Sequence, residues 1–242
     1  MIMREDRGPV AVLTIDRPER RNALDHEALE GLLDALAASK EARVVVLTGA
    51  AGHFCAGADL SGVEDSGFTE LLRQVLAALR DDPRPTLAAI DGTALGAGSQ
   101  LAIACDLRVA TGAARFGVPA ARLGLMVDHW TIQRLSLLAG AGPTRAMLLG
   151  GETYGGEEAV QLGFVQRLGD LEAAVGWADE IAALAPLTLA GLKLALNHLE
   201  MPVGRGDDPE VRAAWDRAWG SEDLREGITA FRERRRPLFH GR

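Results

Sequence analysis

The stretch "LGAGSQLAIACDL", Leu95 to Leu107, says most about the fold of this chain. Its glycines and small residues indicate a tight turn, and an apolar run with helical character follows at once. The first backbone N–H groups of a helix have no partner within the helix, so such a turn can present them to a ligand oxygen. Alternatively, the small residues only let the turn pack closely against a strand. A neutral amide, Gln100, stands where the run begins.

The turn differs from two other functional loops. It lacks the third glycine and the following acidic residue of a dinucleotide-binding fingerprint. Ser99 lacks the flanking glycines that a nucleophile elbow requires. We therefore interpret the turn as a helix N-terminus that can hold an oxygen atom.

Outward from this turn, the chain alternates between strands and helices. Apolar runs predict strands, and runs with helical periodicity predict helices, the first of them capped by Asp25. The predicted strands are 9–16, 43–49, 84–92, two short strands within 106–118, and 162–169, and the clearest helices are 24–39 and 68–80. After about residue 170 the pattern is mostly helical, which predicts an α/β protein with a helical C-terminal part.

Composition excludes several classes of protein. The 242 residues are 48% hydrophobic, which suits a globular protein, and the net charge of −8 argues against general nucleic-acid binding. No run of about 18 apolar residues predicts a membrane span, and the N-terminus does not resemble a signal peptide. Cys55 and Cys105 suit a reducing cytoplasm better than a disulfide framework, and no cluster has metal-ligand spacing. We expect a cytoplasmic protein without a metal.

A second small-residue loop, "FCAGADL" (54–60), follows a predicted buried strand. Two loops that each offer a backbone N–H can form an oxyanion hole, which stabilises negative charge on a substrate oxygen. The two loops together are what an oxyanion hole requires, and close packing against a strand stays open as the alternative at this point.

These loops, with "RPERRNAL" (17–24), "FGVPAARLGL" (116–125) and "GITAFRERRRPLF" (227–239), resemble motifs of the crotonase superfamily, the enoyl-CoA hydratase/isomerase family. The resemblance extends over nearly the whole chain in the right order. It implies a spiral of ββα units over 1–180 and a helical region over 181–242 that forms a homotrimer or a dimer of trimers. It also implies acyl-CoA as the ligand, with no separate cofactor.

The resemblance also implies roles for individual residues. The backbone N–H groups of Ala58 and Ala97 match the oxyanion-hole donors. The helix at 68–80 is expected to line the acyl side of the pocket. The positions that match CoA contacts are Arg20, Arg21, Ala56, Asp59, Phe231 and Arg234. The last two commonly reach CoA in a neighbouring subunit, although the arginines also suit a solvated surface.

Two positions depart from the family pattern. Hydratases of the family have glutamates where this chain has Gln100 and Ala120. Glutamine can hydrogen-bond a water molecule but cannot exchange a proton near neutral pH. Because a positioned acid or base contributes about 10²–10⁴-fold, we expect hydration to be slow.

Asp128, in "GLMVDHWTIQRL" (124–135), is a second candidate for proton transfer. It matches a position that dienoyl-CoA isomerases of the family use as an acid or base, and aroyl-CoA dehalogenases use as a nucleophile. Aspartate is also a preferred helix N-cap, and one residue can serve both roles. Trp130 is expected to line the acyl pocket, and His129 either lines it or lies at the surface.

Two functions therefore remain open. The first is binding of fatty acyl-CoA or enoyl-CoA with little hydration. It is supported by resemblance to an actinobacterial branch of the family that has neutral residues at both glutamate positions. Protein partners in lipid synthesis would fit that role. The second is an active enoyl-CoA isomerase or slow hydratase that uses Asp128.

Overall fold

A computed structural model describes residues 1–59, 66–123, 126–199, 213, 217 and 221–242. The strands are β1 (Ile2–Arg7), β2 (Val10–Ile15), β3 (Val44–Gly49), β4 (Thr86–Ile90), β5 (Thr93–Leu95), β6 (Leu107–Ala110), β7 (Arg115–Gly117), β8 (Tyr154–Gly155) and β9 (Arg167–Leu168). The helices are α1 (His26–Ala38), α2 (Ser66–Asp81), α3 (Ala97–Ala104), α4 (His129–Ala139), α5 (Ala141–Arg145), α6 (Gly156–Gln161), α7 (Leu171–Ala182), α8 (Pro186–Leu199) and α9 (Glu222–Glu233).

The strands form two sheets. The larger has the order β1-β2-β3-β4-β6-β9, in which β1 is antiparallel to β2 and the other pairs are parallel. The smaller has the order β5-β7-β8. Parallel pairing requires crossover connections, which here contain α1, α2 and α3. This arrangement confirms the predicted α/β class.

Both faces of the larger sheet are buried, which explains why its central strands are apolar throughout. Alternate residues point to opposite faces. One set, including Val12 and Val46, packs with α7, and the other, including Leu13 and Leu47, packs with α1, α2 and α3. The sheet therefore fixes the position of α3, which carries the turn at Ala97.

Helix α1 begins where the sequence predicts. The Asp25 carboxylate accepts a hydrogen bond from the Ala28 N–H at 2.9 Å, as an N-cap does. Leu29, Leu32 and Leu36 lie on the buried face of the helix. Both the capping residue and the helical periodicity are confirmed.

The sequence prediction was wrong at several strands, since it also missed the short strands β5 (Thr93–Leu95) and β8 (Tyr154–Gly155). It missed β1, because its central residues are exposed and charged at the edge of the sheet and show no apolar alternation. It made β9 too long, since within 162–169 only Arg167–Leu168 forms a strand. Phe164 and Val165 are buried without belonging to a strand, so their apolar character reflects core packing.

Within the described ranges, no single helix is long and apolar enough to cross a membrane. Helices α7 and α8 reach the required length and composition only as a pair, and the chain bends by 109° between them.

Candidate functional site

The turn before α3 leaves the first N–H group of the helix without a partner. Gly96 has φ 54° and ψ −117°, a conformation that favours glycine, and its N–H donates to the Gly117 carbonyl at 2.9 Å. Its carbonyl accepts the Gln100 N–H at 3.0 Å, which begins the helical pattern. Within the described residues, the N–H of Ala97 donates to no carbonyl. It can therefore serve as a donor to a bound oxygen.

The second loop leaves an equivalent group at Ala58. The Leu24 N–H donates to the Gly57 carbonyl at 2.8 Å, and the Asp59 N–H donates to the Leu24 carbonyl at 2.7 Å. In this parallel bridge, the N–H of Ala58 points away from Leu24. It donates to no backbone carbonyl in the part of the chain that the structure describes.

The two loops lie in direct main-chain contact. The Leu95 N–H donates to the Cys55 carbonyl at 3.0 Å. A Cβ atom added at Gly98 would lie 2.1 Å from that same carbonyl oxygen, and one added at Gly57 would lie 3.9 Å from the Ala97 nitrogen. The fold thus brings together the loops of Ala58 and Ala97, which lie 39 positions apart in the sequence.

Gln100 lies just inside α3, one turn beyond Ala97. Its side chain is 8% exposed, and its Nε2 donates to Thr131 Oγ1 at 2.8 Å. The buried Thr131 in turn donates its N–H to Asp128 Oδ1 at 3.0 Å. Gln100, Thr131 and Asp128 therefore form one hydrogen-bonded chain from α3 to the start of α4.

Asp128 is the N-cap of α4, as one of the two sequence interpretations proposed. Its side chain is exposed, and so is that of His129. Trp130 is partly buried and packs on the core, with the Arg80 guanidinium 5.9 Å from its ring centre. Ala120 begins a short 3-10 helix and packs against the same core.

The structure places the candidate CoA contacts on two sets of elements. Arg20 and Arg21 are exposed in the turn after β2, and the Arg21 carbonyl accepts the Ala56 N–H at 3.0 Å. Asp59 Oδ2 lies 3.9 Å from a nitrogen of Arg17. Arg21, Ala56 and Asp59 are thus close in the fold.

The C-terminal candidates lie elsewhere. Arg234 is exposed just after α9, at a positive φ of 54°. Phe231 lies within α9, but its side chain is outside the described part of the structure. Their proposed approach to CoA in a neighbouring subunit stays a prediction.

Sequence reasoning missed the residues that fix the turn after β2 against the segment that precedes the Ala58 loop. Asn22 is fully buried, accepts the Arg17 N–H at 2.9 Å, and donates to the carbonyls of Ala50 and His53. Arg17 also pairs with Asp25 at 2.5 Å. The residue type alone could have pointed to Asn22, because asparagine tolerates a positive φ better than most residues, and Asn22 adopts a φ of 60° here.

Two buried arginines bind the C-terminal end of α3. Arg108, 1% exposed, donates to the carbonyls of Ala102 at 3.1 Å and Cys105 at 3.0 Å, and Arg134 donates to that of Ile103 at 2.9 Å. Burial, together with the nearby Arg134, lowers the pKa of Arg108 to about 10. Because cations at a helix C-terminus complement its dipole, these arginines stabilise α3, whose positive end is at Ala97.

Three of the cavities in the structure do not include the loops that carry Ala58 and Ala97. Cavities of about 640, 680 and 460 Å³ are lined by other residues, and Ala58, Ala97 and Gln100 belong to none of the three. Trp130 lines the cavity of 680 Å³ and Ala120 lines that of 460 Å³. In the described ranges, no group of three or more His, Cys, Asp or Glu residues could hold a metal ion.

Comparison with known proteins gives a consistent result. Residues 5–242 match the family model described as enoyl-CoA hydratase/isomerase. The Mycobacterium tuberculosis protein named probable enoyl-CoA hydratase echA6 is 44% identical, with 96% of each chain covered. The 2,3-dehydroadipyl-CoA hydratase of Escherichia coli is 36% identical, again with 96% of each chain covered.

Solved structures agree in fold. A crystal structure of an enoyl-CoA hydratase from Mycobacterium tuberculosis superposes with a TM-score of 0.87 at 31% identity and covers 100% of this chain and 99% of that one. An enoyl-CoA hydratase from Bacillus anthracis gives a TM-score of 0.89 at 28% identity, with 100% and 99% covered. The predicted crotonase-like fold is therefore confirmed.

Proposed function

This chain belongs to the enoyl-CoA hydratase/isomerase family, and we propose that within it the protein binds fatty acyl-CoA or enoyl-CoA thioesters but hydrates them poorly. The protein would act in lipid metabolism, in the cytoplasm, with proteins of lipid synthesis as partners. The proposal has a binding half, affinity for the thioester, and a chemical half, slow hydration, and the two rest on different residues.

The binding half rests on main-chain groups. The N–H groups of Ala58 and Ala97 lie on two loops in direct contact, and neither has an acceptor among the described residues. Two such donors would hold the thioester oxygen, and Ala97 would add the positive end of α3. Arg20 and Arg21, exposed next to the Ala56 loop, would contact the CoA phosphates.

The chemical half rests on one observation, the hydrogen bond from Gln100 Nε2 to Thr131 Oγ1 at 2.8 Å. It fixes a neutral amide at the position where hydratases of the family have a glutamate. Ala120, at the second such position, offers only a methyl group. Without these two proton-transfer groups, the site would keep its affinity for the thioester and lose most of its rate.

Two measurements on the same preparation test this proposal. Hydration of crotonyl-CoA would be followed by the loss of enoyl absorbance, and binding of saturated acyl-CoAs of increasing length would be followed by calorimetry. We expect binding that strengthens with chain length and negligible turnover. Turnover at an ordinary enzymatic rate would overturn the proposal, and absence of acyl-CoA binding would remove its first half.

A second candidate function, an isomerase or slow hydratase that uses Asp128, is favoured by one contact. Asp128 accepts the N–H of Thr131, whose hydroxyl holds Gln100, so its carboxylate lies two hydrogen bonds from the amide. If this candidate is correct, Asp128→Asn abolishes the turnover of the wild-type protein. Asparagine is also a good N-cap, so the variant removes the carboxylate while preserving the start of α4.

A further inference from the structure

Ser99, in the first turn of α3, is a buried polar residue to which the proposed function assigns no role. Only 2% of it is exposed. Its Oγ lies 2.7 Å from the Ala94 carbonyl oxygen and 2.9 Å from the Gly117 carbonyl oxygen, and it accepts the Gly117 N–H at 3.2 Å. Because a serine hydroxyl has one hydrogen, it donates to one of the two carbonyls at a time. Ser99 therefore joins β5 and β7 to α3.

The contacts of Ser99 do not suit a nucleophile. A nucleophilic serine needs a general base within hydrogen-bond distance. Among the described residues, the hydrogen-bond partners of Ser99 Oγ are main-chain groups of Ala94 and Gly117. A peptide carbonyl cannot take a proton from serine near neutral pH, so the hydroxyl contributes to the geometry of the turn.

The hydrogen bonds of Ser99 restrain the segment that carries the Ala97 N–H. Ala97 lies between Ala94 and Ser99, so the hydrogen bond from Ser99 Oγ to the Ala94 carbonyl closes a short loop that contains it. Gly96, the N-cap of α3, makes no side-chain hydrogen bond in this turn. The hydroxyl of Ser99 therefore limits how far the first turn of α3 can shift relative to β5, and with it the direction of the Ala97 N–H.

The same hydroxyl restrains the segment that leads to Ala120. Both polar main-chain groups of Gly117 lie within hydrogen-bond distance of Ser99 Oγ, and the Gly117 carbonyl also accepts the Gly96 N–H at 2.9 Å. Ala120, at the second position where hydratases of the family have a glutamate, follows three residues later. One buried side chain thus connects the turn before Ala97 to the end of β7.

From these contacts we infer that Ser99 is a positioning residue for the thioester site: its hydroxyl directs the Ala97 N–H at the thioester oxygen without touching the ligand. The inference rests on the proposed function, because it requires Ala97 to bind that oxygen. Hydrogen bonds weaken steeply when the donor is misaligned. Loss of the Ser99 hydroxyl should therefore weaken the contact with the carbonyl oxygen and spare the contacts with CoA and with the hydrocarbon chain.

Two ligands that differ at the carbonyl group test this inference. Calorimetry on the full-length protein would compare dodecanoyl-CoA, a thioester, with S-dodecyl-CoA, a thioether that has no carbonyl oxygen. We expect Ser99→Ala to weaken the binding of dodecanoyl-CoA about tenfold, as for the loss of one hydrogen bond, and to leave that of S-dodecyl-CoA unchanged. In infrared spectra, the carbonyl stretching band of bound dodecanoyl-CoA should move in the variant towards its frequency in the free ligand.

Ser39→Ala is the matched control. Ser39 is fully buried at the end of α1 and donates to the Ala35 carbonyl at 2.6 Å, so this variant also loses a buried hydroxyl. It should change neither the preference for the thioester nor the carbonyl band. Ser99→Cys keeps a side chain of similar shape with weaker hydrogen bonds, and its effect should lie between those of alanine and serine. It provides the same test if Ser99→Ala does not fold, which thermal unfolding checks.

The outcomes separate this inference from the proposed function. Suppose that the wild type prefers dodecanoyl-CoA to S-dodecyl-CoA, and that folded Ser99→Ala weakens both ligands equally or neither. Ser99 then has only a structural role, and the inference is wrong while the proposed function stands. If the wild type binds the thioester no more tightly than the thioether, or binds neither, the proposed role of the Ala58 and Ala97 donors is wrong and the inference fails with it.

Discussion

The proposal that Gln100 and Ala120 stand in place of two catalytic glutamates can be tested by introducing glutamate at both positions. We expect Gln100→Glu combined with Ala120→Glu to hydrate crotonyl-CoA at least about 10²-fold faster than the wild type, because each positioned carboxyl group contributes about 10²–10⁴-fold. Enoyl absorbance measures the rate. Gln100→Ala is the control, since it removes the amide without adding a base. A double variant that is folded, binds acyl-CoA and is no faster than wild type would contradict the proposal.

Asn22 allows a prediction about stability at a single residue. Asn22→Ala should lower the free energy of unfolding by about 2–4 kcal/mol, since buried carbonyls and an N–H lose their partners. Asn22→Asp, the matched control, keeps the acceptor for the Arg17 N–H and loses the donors to Ala50 and His53. Denaturant unfolding measures both variants. Equal stability of Asn22→Ala and wild type would show that these hydrogen bonds contribute little.

The structural roles of some residues can be predicted from the sequence, and those of others cannot. The sequence identified Asp25 and Asp128 as caps, because a cap depends on local chain geometry, and the hydrogen bonds to Ala28 and Thr131 confirm both. It did not find the partner of Gln100, because Thr131 lies 31 positions away and only the packing of α3 against α4 brings them together. Long-range hydrogen bonds of this kind leave no periodic signal.

Among the secondary-structure elements, α3 has a close main-chain contact at Gly98. Gly98→Ala would place its Cβ 2.1 Å from the Cys55 carbonyl oxygen, so the helix or the 54–59 loop must move. We expect weaker acyl-CoA binding and a loss of several kcal/mol of stability, since the contact is with backbone and cannot relax by a rotamer change. Thermal unfolding and calorimetry measure the two effects.

Gly142→Ala is the matched control for that substitution. A Cβ at Gly142, in α5, would meet no heavy atom within 4 Å. Alanine should therefore leave binding unchanged and alter stability little, because the usual gain for a helical glycine is offset where proline follows, as Pro143 does here. If Gly98→Ala behaved like Gly142→Ala, the close approach of the loops that carry Ala58 and Ala97 would contribute neither to stability nor to acyl-CoA binding.

At the scale of elements, the sequence predicted buried structure better than edges. The central strands of the larger sheet are apolar throughout because both faces are covered, and that run is visible without knowing the fold. Strand β1 is exposed and charged, and its pairing with β2 arises from backbone hydrogen bonds that side chains do not encode. Hence its place in the sheet could only be learned from the structure.

For the whole molecule, burial of both thiols leads to a prediction about pH. Burial raises the pKa of Cys55 and of Cys105 to about 12. Iodoacetamide at pH 8.5 should therefore label neither cysteine in the native protein and both after unfolding, as mass spectrometry would show. Labelling of the native protein at the unfolded rate would contradict this burial.

The same pKa values determine how stability changes with pH. In the unfolded chain a cysteine titrates near pH 8.5, so the folded state favours the protonated thiol. The stabilisation is fully present below about pH 8.5 and is lost as the pH rises towards about 12. The free energy of unfolding should fall over this range, and substituting each cysteine by serine should reduce the dependence.

The expected trimer or hexamer can be tested on α8. Leu192, Leu196 and Leu199 are exposed at spacings that place them on one face of the helix. If the helical C-terminal region forms the assembly, Leu192→Glu with Leu196→Glu should reduce the solution mass to that of one chain, as measured by light scattering. Leu168→Glu, an exposed leucine on β9, is the control and should leave the mass unchanged.

The donors at Ala58 and Ala97 belong to the backbone, and this has an evolutionary consequence. Substitutions that fit the space alter neither N–H group, whereas a single base change in the gene can replace a glutamate with a glutamine. If these donors hold the thioester as we propose, its affinity withstands most substitutions in the two loops, whereas proton transfer by a side chain is lost by a single substitution. A lineage with this architecture can lose its reaction without losing its ligand, and the protein that remains is ready for recruitment as a carrier or sensor.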